Sequence, residues 1–233
     1  MIELASVMVH RHRFRLGPVD LALEERDALA VVGPNGCGKS TLLRALTTRM
    51  PIASGSATVL GHDLVSNPAV ALRHIGEAVA PESLPAMFTA RQCLDLVGRA
   101  RGLGGSDPEV VAAAGPLGLL DLDAPVGALS LGTRQKVAVL LALTGHPEIL
   151  VLDEVFNGLD WAARDVLYDI LVDKLCAGGA LVIATHDLEV ARKVANRMLL
   201  LEEGRVIGTW DRRAFEAIRG DLYAALRRAP SPR

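Results

Sequence analysis

Short, unbroken apolar runs alternate along this chain with longer stretches whose apolar positions recur every three or four residues. Runs 28–32, 149–152 and 180–184 are apolar throughout, as strands buried on both faces of a parallel sheet require. Segments 39–48, 131–143, 161–175 and 188–195 carry helical spacing, with Ser130 placed as the N-cap of the second. Residues 2–9 and 75–80 read as further strands, and 198–201 and 205–208 flank Glu202-Glu203-Gly204 as a hairpin would. A turn-rich stretch holds Gly55, Gly61, Asn67 and Pro68. Helical spacing returns over 90–101 (Leu94, Leu96, Val97, Ala100), stops at Gly102, and resumes over 108–120 with an interruption at Gly115-Pro116. The middle third, about 73–126, is therefore expected to form a helical lobe. Buried strands alternating with helices predict an α/β fold. The only segment expected to be disordered is Pro230-Ser231-Pro232-Arg233, and no internal repeat is visible.

Composition narrows the function classes. A chain of 233 residues makes one large domain or two small lobes. Its net charge of -2 and the lack of a basic stripe argue against nucleic acid as a partner. No apolar run reaches the ~18 to 20 residues that cross a bilayer. Met1-Ile2-Glu3-Leu4 lacks the basic-then-apolar pattern of a secretory leader. Cys37, Cys93 and Cys176 are odd in number and far apart, which predicts buried free thiols and a cytosolic setting.

The chemistry begins at Gly33-Pro34-Asn35-Gly36-Cys37-Gly38-Lys39-Ser40-Thr41, a match to the phosphate-loop pattern. It follows a predicted strand and opens a predicted helix, the context that pattern needs. The glycines let successive N–H groups turn inward on an anion, and the helix adds its positive end. Lys39 is one of only four lysines among 25 basic residues. In this pattern it meets the β- and γ-phosphates, while the Ser40 hydroxyl reaches Mg²⁺. Farther on, Ile149-Leu150-Val151-Leu152 ends in Asp153-Glu154. A carboxylate at the end of a buried strand needs a partner, and Mg²⁺ suits Asp153. Glu154, facing the other way, can polarise a water molecule.

With Leu129-Ser130-Leu131-Gly132-Thr133-Arg134-Gln135 between these two motifs, the chain resembles the ATPase subunits of the ATP-binding-cassette family over about 7–208. That segment is similar to the family signature L-S-G-G-Q. The resemblance implies a phosphate-loop NTPase with a RecA-like core, an N-terminal antiparallel β subdomain and a helical subdomain inserted at about 73–130. It implies a single ATPase domain over 1–220, followed by a C-terminal helix and short tail at 221–233. It implies ATP and Mg²⁺ as ligands, and Ser130, Gly132 and Gln135 reaching the ATP held by a second subunit, in a homodimer or a heterodimer with a related subunit. Asn157-Gly158-Leu159-Asp160 resembles the loop that lines the subunit interface, and Thr185-His186-Asp187 the switch histidine beside Glu154. The partners implied are transmembrane permease subunits, at the inner face of the cell membrane, with no nucleic acid. Short length and Leu131 resemble the exporter-type branch.

Four departures qualify the resemblance. Counting back from the loop, the adenine-stacking aromatic falls on His10, with Phe14 as the alternative. The glutamine that contacts Mg²⁺ is missing, and Glu82 is the expected substitute. Val155 and Phe156 replace a proline and a small hydroxyl residue, and Leu131 replaces a glycine of the signature. Neither of these last two removes a group expected to touch phosphate. Two other classes remain open: a soluble ATPase of the same family in repair or translation, and a binding module that ATP closes without productive hydrolysis.

Overall fold

A computed structural model describes residues 1–218 and 222–228 of the chain. The expected tail 230–233 lies outside the described residues. Strands β1 (Ile2–Arg11) and β2 (Phe14–Leu23) form an antiparallel hairpin, and β3 (Ala28–Val32) leads through the phosphate loop into α1 (Lys39–Leu46). Then come β4 (Ile52–Val59), β5 (His62–Asp63), the short α2 (Pro68–Ala71) and β6 (Ile75–Ala78). Helices α3 (Ala90–Ala100), α4 (Pro108–Ala113) and α5 (Leu131–Leu143) occupy the middle of the chain. The remainder runs β7 (Ile149–Asp153), α6 (Trp161–Cys176), β8 (Ala180–Thr185), α7 (Leu188–Val194), β9 (Arg197–Glu202), β10 (Arg205–Asp211), α8 (Arg212–Glu216) and α9 (Leu222–Arg228).

Two sheets result. One is antiparallel, in the order β2-β1-β4-β5. The other has the order β10-β9-β3-β8-β7-β6 and is parallel except for β10. Side chains alternate across a strand, and β3 shows the consequence. Leu29 and Val31 pack with α1 and the antiparallel sheet, whereas Ala28, Ala30 and Val32 pack with the helices on the far side. All five are fully buried, which is why this run reads as continuously apolar rather than alternating.

Several predicted elements are shorter than expected. α1 stops at Leu46, β6 at Ala78, and α4 ends at Ala113, ahead of Gly115-Pro116. β10 is longer, running on to Asp211 as an edge strand. Local chemistry sets the helix starts. Ser130 Oγ accepts from the Thr133 N–H at 3.1 Å, Asp160 from Ala163 at 2.8 Å, and Thr89 with Gln92 completes a capping box on α3. The neighbours β3, β8 and β7 end at Val32, Thr185 and Asp153. All three predicted motifs therefore emerge on one edge of the sheet, where open parallel sheets place their ligands.

Candidate functional site

At the end of β3 the chain must wrap closely on itself. Gly33 has φ 148°, and a Cβ there would sit 2.2 Å from the Leu201 carbonyl oxygen. Gly38, at φ 117°, lies against the Phe14 ring, 3.0 Å from where a Cβ would be. Only glycine fits both conformations without strain. The loop thus folded leaves Lys39 buried, its ammonium donating to the carbonyls of Gly33 at 2.8 Å and Pro34 at 3.3 Å. Cys37 is buried behind the loop, and burial pushes its thiol pKa up; Cys93 is buried too, but Cys176, expected buried, is exposed at the end of α6.

A cavity of about 510 Å³ opens over the loop, with Asn35, Gly36, Gly38, Lys39, Ser40 and Thr41 on its floor. Arg11, Phe14, Arg44 and Glu154 complete its walls. Glu154 lies 3.9 Å from the Lys39 ammonium, and its carboxylate meets His186 Nδ1 at 3.0 Å. Its backbone takes the left-handed conformation, φ 50°, and its N–H donates to the Ala184 carbonyl at 3.0 Å. That bond ties the loop after β7 to the end of β8, which carries His186. The Asn157 amide donates to Glu154 Oε2 at 3.3 Å. An acid, an imidazole and an ammonium thus converge beside an anion-sized loop.

Asp153 Oδ1 is buried without a hydrogen-bond partner. An orphaned carboxylate oxygen is costly, and a carboxylate with a hydroxyl, as Asp153 and Ser40 offer, is a donor set that suits a divalent cation. Glu77, on the neighbouring strand β6, shares a one-water void of about 30 Å³ with Asp153, Arg44 and Arg49. Burial pushes the Glu77 carboxyl pKa up; Arg49, paired with it at 3.0 Å, opposes the shift and Asp153 adds to it. Glu82 is exposed, in a 3₁₀ turn at Pro81–Ser83, and it lines neither cavity. His10 is exposed on β1 and also lies outside the cavity lining, where Arg11 and Phe14 stand instead. β1 ends at a tight hairpin that pairs Arg11 with Phe14, the alternative to His10, and brings both to the loop.

A second cluster forms apart from the first. Gly132 packs so closely on the Gly158 carbonyl that a Cβ would come within 2.3 Å of it. Asp160 pairs with Lys136 at 2.8 Å, and this hydrogen bond, more than its cap to Ala163, holds its carboxyl below the usual range. Gln135 is buried with its Nε2 unpartnered. None of Ser130, Gly132, Gln135 or Asp160 lines the cavity over the phosphate loop. Leu131 and Trp161, 51 % and 80 % exposed, flank this cluster as uncovered apolar side chains.

A family model described as ABC transporter matches residues 16–157, a span that includes the phosphate loop and both carboxylates. The chain belongs to that family. Nod factor export ATP-binding protein I of Sinorhizobium fredii is 34 % identical over 214 residues, which is 88 % of this chain and 61 % of that protein. Hemin import ATP-binding protein HmuV of Streptomyces coelicolor is 36 % identical over 200 residues, 82 % of this chain and 70 % of its own length. The cassette thus spans about three fifths of the first relative, and 9 % of some much longer ones. A dimeric, post-hydrolysis ATP-binding cassette bound to ADP and Pi superposes with a TM-score of 0.82 at 22 % identity, over 91 % of this chain and 99 % of that one. That likeness shows the fold, an ABC cassette on a phosphate-loop core.

Arg11, Arg44 and Glu77 line these cavities but were not singled out in the sequence. Arg44 carried a faint signal, lying on α1 beyond Lys39 and Ser40. Glu77 and Arg11 carried none, since strand pairing alone brings them in.

Proposed function

We propose that this cassette binds ATP with Mg²⁺, hydrolyses it, and powers transport through separate membrane-spanning subunits. The observation that carries the reading is the convergence of Lys39, Glu154 and His186 over the phosphate loop, 3.9 Å and 3.0 Å apart pairwise through Glu154. Gly33, Pro34, Asn35, Gly36, Cys37, Gly38 and Thr41 form the phosphate cradle, and Lys39 exchanges its loop carbonyls for phosphate oxygens. Ser40 and Asp153 would hold Mg²⁺, which when bound would neutralise charge that develops on the phosphates. Glu154 accepts the proton of the attacking water, and His186, hydrogen-bonded to it, keeps that carboxylate aimed. Phe14 or Arg11 meets the base in place of His10.

Ser130, Gly132, Gln135 and Asp160 sit too far from the local cavity to line it, which supports their use by a second copy or a related subunit. Two copies arranged head to tail would bury Leu131 and Trp161 and complete two composite sites. Residues 1–220 form one ATPase domain in this reading, with the 73–130 region as the inserted helical subdomain. On that region Met87, 89 % exposed, and Phe88 and Leu96 border an open groove, a suitable dock for a permease subunit at the inner face of the membrane. Among the described residues no helix is long and apolar enough to cross a membrane.

Glu154→Gln tests the assignment. Removing a general base costs on the order of 10²–10⁴-fold in turnover, and the variant is expected to bind ATP and stay dimeric on size exclusion. Turnover at the wild-type rate refutes the role of Glu154. ATP-dependent dimers without hydrolysis in either protein favour the reading of an ATP-gated binding module.

A further inference from the structure

Behind the catalytic pair, three elements meet on one aromatic ring. Phe156 follows Glu154 by two positions and is buried. Its ring stacks on Tyr168 of α6, with centroids 4.6 Å apart and planes at 29°. The Lys193 ammonium of α7 stands 3.6 Å over the same Tyr168 ring and reaches Asp165 Oδ1 at 3.5 Å. α7 is only seven residues long and begins directly after His186, capped by Asp187 through Glu189 and Val190 N–H groups at 2.9 and 3.2 Å. Burial pushes the Tyr168 phenol pKa up; Arg164 opposes, while Asp187, Asp165 and Glu189 add to the rise. The ring therefore stays neutral, an aromatic face for a cation rather than a phenolate.

We propose that Tyr168 is a positioning residue for hydrolysis: its ring clamps the Glu154 loop, through Phe156, to the helix that follows the His186 loop, through Lys193. Stacked aromatic pairs and cation–π contacts are directional. The clamp therefore fixes the orientation of α7 relative to the loop as well as burying area. The 3.0 Å contact between His186 and Glu154 needs that orientation, because short loops on either side carry both residues. Phe156 is the enabling residue, since a small side chain there leaves Tyr168 nothing to stack on. The inference rests on the assignment of Glu154 and His186 to hydrolysis.

The test compares Tyr168→Leu, Tyr168→Phe and Lys193→Met with the wild-type chain, reading kcat, KM for ATP, and amide hydrogen exchange over 186–194. Tyr168→Leu is expected to lower kcat about tenfold, a small fraction of what misplacement by an ångström can cost, with KM within about twofold and exchange over α7 faster. Tyr168→Phe keeps the ring and is expected to restore both readouts, while Lys193→Met falls between. Wild-type kcat and exchange in Tyr168→Leu overturn the clamp, as does a Tyr168→Phe variant as impaired as Tyr168→Leu. A wild-type protein without turnover, or a Glu154→Gln variant with full turnover, breaks the hydrolysis assignment instead, and exchange over α7 then decides the clamp alone.

Discussion

Gly132→Ala probes the seam between the signature helix and the loop before α6. A methyl at position 132 would lie 2.3 Å from the Gly158 carbonyl oxygen, against 3.4 Å for ordinary contact, so the two segments must part by about 1.1 Å. The neighbour is backbone, which cannot swing aside as a flexible side chain does. Gly158 is itself held at φ 77°. Overpacking of this kind costs about 1–3 kcal/mol; the middle of that range lowers the melting temperature of a domain this size by roughly 4–8 °C. The displaced carbonyl belongs to the loop that leads from Glu154 to Asp160, so turnover is expected to fall further than stability, toward the ~10²-fold that an ångström of misplacement costs. Thermal unfolding without nucleotide and steady-state ATP hydrolysis read the two effects separately. Ser130→Ala serves as the reference for stability alone. It removes the cap on the Thr133 N–H, worth about 1 kcal/mol, and forces nothing apart. A Gly132→Ala protein that melts and turns over as the wild type does would refute the tight seam.

Two further outcomes follow from the same structure. Met87→Asp places a charge on the exposed apolar groove of the middle region; transport in reconstituted membranes is expected to drop roughly tenfold or more, the scale of an interface hot spot, with basal hydrolysis in detergent within about twofold. Unimpaired transport would reject the dock. Tyr223 on α9 donates to Glu202, and burial, reinforced by that hydrogen bond, pushes its phenol to about 12 from 10.0. A raised folded-state pKa gives stability that is complete below the unfolded pKa and lost as pH climbs through the folded one. Relative to Tyr223→Phe, the wild type is therefore expected to lose stability between pH 10 and about 12, read by denaturant unfolding at each pH. Parallel curves for the two proteins would remove the contribution assigned to Tyr223.

The sequence revealed what is contiguous and hid what is assembled. The phosphate loop, Ser130, the Asp153-Glu154 pair and His186 each sit in a short run whose chemistry is local: a glycine turn, a helix cap, an apolar strand ended by acid. Strands β3, β7 and β8 were legible for a related reason, because burial on both faces leaves no polar position to blur the pattern. β2 and β4 were not. β2 is cut by Gly17-Pro18, and β4 exposes four of its eight residues around Gly55, so neither shows a clean period. They become strands because β1 lies between them and supplies hydrogen bonds on both edges. The same logic separates Glu82 from Glu77. Glu82 was singled out by its position along the chain, yet the 3₁₀ turn carries it to solvent. Glu77 looked like an ordinary strand residue, yet the parallel register that pairs it with Val151 turns its carboxylate toward the void beside Asp153. Phe156 and Tyr168 make the point for Glu154 and His186. Twelve positions apart in sequence, they meet only because α6 folds back across the loop that holds Glu154. The residues proposed to react can thus be picked out from motifs, whereas their alignment depends on packing between elements that carry no motif.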